Sequence, residues 1–150
     1  MEMPDIRSLV PHSGAMVLLD RVISADEDNL CAEVTIRPGS LFYSDGGVGA
    51  WVGLEYMAQA IGAYAGYRAR LRGEPIKIGF LLGTRRYESR RPFFPNGAVL
   101  QIRIKRALES ENGLASFDCH IAGDNGEIAS ASVTVFQPAN DKAVFDESWP

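Results

Sequence analysis

The chain has 150 residues, 46% of them hydrophobic and 23% charged, which fits one globular domain able to bury its own core and leaves no room for a second. The net charge of −4, with no stacking motif and no Gly-Lys-rich arm, weighs against nucleic acid as a partner. Apolar runs fall short of the roughly eighteen residues of a membrane span, because even 48–67 carries Glu55, Gln59 and several glycines.

The first residues, Met-Glu-Met-Pro-Asp, lack the basic and greasy regions of a secretory signal, so a cytoplasmic protein is expected. Cys31 and Cys119 lie far apart without a CxxC spacing or a His-rich neighbour, which predicts reduced, buried thiols and no metal site. Residues 1–15 read as a lead-in loop broken by Pro4 and Pro11, with a helical turn near Ile6–Val10. A hairpin follows: Met16 to Ala25, the polar cluster Asp26-Glu27-Asp28-Asn29, then Leu30 to Arg37, in which Leu30, Ala32, Val34 and Ile36 alternate with polar neighbours. Leu41 to Gly49 reads as a loop rich in glycine, where the backbone can approach another group closely.

A helix is predicted from about Val48 to Leu71, with arginines at 68, 70 and 72 suiting the negative end of its dipole, Gly73 as a stop and Pro75 beyond. Trp51, Glu55 and Gln59 stand four residues apart on one face, while Leu54, Met57, Ala58, Ile61 and Ala65 cover most of the rest. A helix apolar nearly all round is buried. Glu55 is the only ionisable acid or base in its first half, and a buried carboxylate is costly unless it is paired or protonated, so it is either a satisfied structural acid or one kept for chemistry.

Everything after the helix reads as strand: Ile76–Arg91, Ala98–Leu108, Leu114–Ala122 and Ile128–Gln137, separated by Asn96-Gly97, Asn112-Gly113 and Asn125-Gly126 turns. Residues 139–150 form a polar, acidic tail. The order of two strands, one helix and four strands in a meander predicts an α+β domain over 1–150, with one long central helix wrapped by an antiparallel sheet. The open side of the helix then calls for a second copy or another subunit. Between Arg68 and Arg106 lie eleven of the fifteen basic residues and two acids, Glu74 and Glu88. That zone is either a solvated face or a landing site for an acidic partner.

The combination of Pro11-His12 with Met16-Val-Leu-Leu-Asp-Arg-Val22, Gly53-Leu-Glu-Tyr-Met-Ala-Gln59, Gly79-Phe-Leu-Leu-Gly83 and Arg91-Pro-Phe-Phe-Pro-Asn-Gly97 resembles the hot-dog-fold 3-hydroxyacyl-acyl carrier protein dehydratases, and most of all the branch of aryl polyene pigment pathways. The resemblance covers residues 6 to 138. It implies loss of water from a 3-hydroxyacyl thioester to give a trans-2-enoyl product, without metal or organic cofactor, on a substrate carried by the phosphopantetheine arm of an acyl carrier protein. It also implies a histidine that removes the proton beside the thioester carbonyl, a helix carboxylate that helps the hydroxyl leave, and backbone amides at the helix start that hold the oxyanion. Glu55 matches the carboxylate; Gly49, Ala50 and Trp51 match the helix start; Gln59 matches the polar residue one turn on.

The chain departs from the family pattern at the histidine, for Leu41–Val48 holds none. Of the two histidines, His120 alternates with core residues and reads as an exposed structural group, which leaves His12 as the candidate base, with Tyr43 and Asp45 as the other acid–base residues near Glu55. Trp51 and Phe80 are candidates for an acyl-binding wall. Arg85, Arg86, Arg90 and Arg91 are candidates for docking the carrier protein. Two other functions remain open: an acyl thioesterase in which Glu55 activates water, and a non-catalytic hot-dog subunit that completes a partner's site as a heterodimer.

Overall fold

A computed structural model describes residues 3–10, 17–75 and 80–136, with backbone alone at 80–82. A short 3₁₀ turn, Ile6–Ser8, opens the chain and is capped by the Asp5 side chain, which accepts from the Arg7 N–H. The strands are β1 (Arg21–Ala25), β2 (Asn29–Thr35), β3 (Tyr43–Ser44), β4 (Gly47–Gly49), β5 (Phe80–Ser89), β6 (Phe93–Pro95), β7 (Val99–Glu109), β8 (Leu114–Gly123) and β9 (Gly126–Phe136). One helix, α1 (Gly53–Leu71), lies between β4 and β5.

The main sheet is antiparallel in the order β1-β2-β7-β8-β9-β5. Its register stacks apolar residues in rows across the strands: Leu30 pairs with Ile104, which pairs with Cys119, which pairs with Ala131. The next row is Ala32, Ile102, Ile121 and Ala129. All eight are buried, because strand side chains alternate and this face meets α1. Met57, Ala60, Ala63 and Tyr64 supply the helix side of that core. The predicted α+β architecture, a long helix wrapped by an antiparallel sheet, is therefore what the chain adopts.

Three expectations change. Val48 and Gly49 belong to β4, and Ala50–Val52 form a 3₁₀ turn, so the α-helix proper starts at Gly53 instead of Val48. The 41–49 stretch contributes β3 and β4 to a separate sheet of order β3-β4-β6. The four later strands are not one meander: β7, β8 and β9 run on consecutively, but β5 crosses to the far edge beside β9. The hairpin turns behave as read, with φ at +95° for Gly113 and +104° for Gly126, values that glycine alone adopts without steric cost.

Candidate active site

The start of the helix is fixed from three sides. The Ala50 N–H donates to the Pro92 carbonyl at 3.0 Å, and the Ala50 carbonyl accepts from both the Gly53 N–H and the Tyr87 hydroxyl of β5. Gly53 is packed closely here, since a Cβ would lie 3.0 Å from Ile121 Cδ1 and closer still to the Tyr87 hydroxyl, and both side-chain tips would have to shift to admit it. Of the expected oxyanion amides, that of Ala50 is thus already engaged, a correction to the sequence reading, and Gly49 pairs with Phe93 in the small sheet. Trp51 stands 66% exposed in the single chain, its ring edge-on to Phe42 at 5.2 Å. Phe42 holds φ at +69° in making that contact, a strained region for an aromatic residue. Phe80 begins β5 opposite Phe136, and its side chain lies outside the described residues.

Along one helix face, exposure falls stepwise from Trp51 through the half-buried Glu55 to the fully buried Gln59. Glu55 is therefore less buried than the apolar surround predicts. Gln59 is the one buried polar side chain among the described residues. Its Nε2 donates to Glu55 Oε1 at 3.5 Å, and its Oε1 accepts from the Leu18 N–H at 2.9 Å. This second bond reaches across 41 residues and ties the segment leading into β1 to the helix beside Glu55.

A matching tie lies two turns further along. Leu9 is fully buried, and its backbone rests on Gly66, where a Cβ would come 2.9 Å from the Leu9 carbonyl carbon and nearer to its oxygen. The two residues that bracket His12 in the chain, Leu9 and Leu18, are thus both fastened to the helix that carries Glu55. His12 itself falls within 11–16, outside the described residues. His120 is exposed, with its Nδ1 against the Glu127 carboxylate, as the alternation of β8 predicts.

Tyr56, next to Glu55 but turned about 100° round the helix, is 2% exposed. Burial, with the Asp20 carboxylate and Tyr87 adding, pushes its phenol up to about 12, so it is a neutral donor at any working pH. Burial likewise pushes the Cys119 thiol up to about 12, whereas Cys31 is only half-buried. Arg85, Arg86, Arg90 and Arg91 are all exposed along and just after β5, where a bulge between Arg85 and Glu88 puts Arg86 at φ +57°. Among the described residues there is no cluster of three or more His, Cys, Asp or Glu that could hold a metal ion, and no helix long and apolar enough to cross a membrane.

A family model described as ApeP-like, ApeP dehydratase, matches residues 4–146. The chain belongs to the ApeP-like dehydratase family. Among solved structures, one titled as the dehydratase heterocomplex ApeI:P from Xenorhabdus doucetiae superposes with a TM-score of 0.87 at 28% identity, covering 96% of this chain and 97% of that one. A hypothetical thioesterase with coenzyme A from Streptococcus pneumoniae gives 0.63 at 14% identity, over 78% of this chain and 84% of that one, and AziG from S. sahachiroi gives 0.61 at 13%, over 79% and 90%. The last two share the fold with this ApeP-like chain. No curated protein matches it.

Proposed function

We propose that this ApeP-like chain dehydrates a 3-hydroxyacyl thioester held on acyl carrier protein, giving the trans-2-enoyl thioester, in aryl polyene or related fatty-acid-like synthesis. The observation that carries the reading is the Gln59 bridge: a fully buried amide that bonds Glu55 on one side and the Leu18 backbone on the other. An amide there orients the carboxyl without competing for its proton, since Gln does not titrate. In the reaction, a base removes the proton at C2, the C2–C3 double bond forms as the C3–O bond breaks, and the hydroxyl leaves as water with a proton from Glu55. His12 is the proposed base, and the fastened ends at Leu9 and Leu18 support that role. The Gly49 and Trp51 amides are the proposed oxyanion donors, since that of Ala50 is taken up by the Pro92 carbonyl.

The structural relative is a heterocomplex, and the exposed Trp51–Phe42 pair at the helix start is a surface that a second hot-dog subunit would cover. We read the working unit as two hot-dog subunits, the partner identical or different. Product analysis tests the chemistry: with a 3-hydroxyacyl carrier protein, the expected product is an enoyl thioester with the carrier thiol still capped. Release of free acid and free thiol would instead make the chain a thioesterase.

Arg85, Arg86, Arg90 and Arg91 form the proposed landing face for the acidic carrier. Arg90 is the member with a described ion pair, a loose one to Glu127 at 4.0 Å, and a pair so exposed adds little. Reversing both Arg85 and Arg86 to Glu should raise KM for the carrier-borne substrate roughly tenfold or more while leaving kcat on a short thioester mimic unchanged, because exposed charges steer association more than chemistry. Equal KM values for variant and wild type would remove this face from the proposal.

A further inference from the structure

Among the described residues six large apolar side chains stand exposed, and the three aromatic ones, Phe42, Trp51 and Phe93, gather at the helix start. Two glycines of β4 make room for them. A Cβ on Gly47 would come 2.7 Å from Phe93 Cδ2, and one on Gly49 would come 2.7 Å from Trp51 Cδ1. The Trp51 indole therefore lies back over β4, where Phe42 meets it edge-on. The glycine-rich stretch before the helix thus carries aromatic rings laid directly on its backbone.

Phe42 reaches this place against its own conformational preference. It is the third residue of a turn closed by the Tyr43 N–H, which donates to the Ser40 carbonyl at 3.1 Å, and its φ of +69° is the left-handed value for which such turns ordinarily use glycine or asparagine. The same loop does use glycine at position 46, where φ is +88°. The Phe42 ring is 46% exposed, so burial in the core does not offset the strain. Strain of this kind marks positions that clamp a ligand.

The location names the ligand. Trp51 stands one turn before Glu55 on the same helix face, and its N–H and that of Gly49 are the proposed holders of the thioester oxygen. A thioester bound at those amides starts its acyl chain within reach of the rings that lie over them.

We infer that Phe42 is a specificity-determining residue, and that Phe42, Trp51 and Phe93 form an apolar slot that grips the acyl chain just beyond the thioester carbonyl. The inference rests on the dehydratase reading for its choice of ligand. Titration with 3-hydroxybutyryl- and 3-hydroxydecanoyl-pantetheine tests it, followed by Trp51 emission in a Trp149→Phe background, where Trp51 is the sole indole of the chain. Saturable, blue-shifted binding of the decanoyl thioester is expected, weakened roughly three- to tenfold by Phe42→Gly and kept by Phe42→Tyr, with the butyryl thioester bound equally by all. Phe42→Gly relieves the left-handed φ, so it should melt no lower than the parent, and a lost chain-length preference in a fold no less stable is a result that a merely structural ring would not give. An emission shift that follows protein concentration and ignores both thioesters would make the aromatic cluster a subunit contact alone and overturn the proposal. A decanoyl preference unchanged in Phe42→Gly would overturn it too. Failure of the dehydratase reading looks different: the expected binding profile with no enoyl product supports the slot and removes the chemistry.

Discussion

Glu55→Gln should lower dehydration of a 3-hydroxyacyl carrier protein by about 10²- to 10⁴-fold, the range spanned by a single general acid or base, while the melting temperature stays near that of the parent. Both halves of that expectation come from the same geometry. Glu55 is half-buried at the side of the helix, and its described contact is with Gln59 Nε2, a donor that can bond the carbonyl oxygen of a replacing Gln equally well. The side chain that replaces it has the same shape and can keep that bond, yet it cannot give up a proton to the departing hydroxyl. If Glu55 were a structural acid, the substitution would change stability and leave turnover alone. If the chain were a non-catalytic subunit, neither would change in the assembled enzyme. Measuring turnover and thermal unfolding on the same preparation therefore separates the three readings, and unchanged turnover would remove Glu55 from the chemistry.

Glu55 was legible in the sequence because it is an isolated charge in a run of small and apolar residues, and a helical spacing of four placed Gln59 beside it. What the spacing could not supply was the far end of the bridge. Leu18 lies 41 residues away and contributes only a backbone N–H, which no residue type announces. The strand order shows the same limit. The Asn-Gly turns specify that β7, β8 and β9 are neighbours, since each is joined to the next by a tight hairpin, but β5 reaches its place beside β9 through a long-range pairing that local pattern does not encode. Strands of two or three residues such as β3 and β4 are too short to show alternation, and so 41–49 read as a loop. The engaged Ala50 amide follows from that missed sheet: with β4 paired to β6, the chain just before β6 brings the Pro92 carbonyl under the helix start.

Gly66→Ala should be the most damaging single-methyl change in the helix, although alanine is the better helix former by about 1 kcal/mol. The intrinsic gain is outweighed because the added Cβ would press into the backbone of Leu9 itself, 2.9 Å from the carbonyl carbon and 3.0 Å from its Cα, and backbone cannot rotate aside as a side chain can. Overpacking of this kind costs about 1–3 kcal/mol, which for a chain of this length lowers the melting temperature by very roughly 5 °C. Gly83→Ala, where a Cβ would meet nothing within 4 Å, is the matched control and should leave the melting temperature nearly unchanged. The consequence for function is more specific than the loss of stability. Leu9 is the upstream tie of the segment that contains His12, and Leu18 on Gln59 is the downstream one, so relief of the clash by lifting the first turn away from the helix loosens that segment at one end while leaving Glu55 and its Gln59 contact in place. Below its melting temperature, Gly66→Ala should then show a kcat reduced far beyond the fraction unfolded. A variant with wild-type kcat at a temperature where it is fully folded would mean that the tie at Leu9 serves stability alone, and would take away the main structural support for His12 as the base.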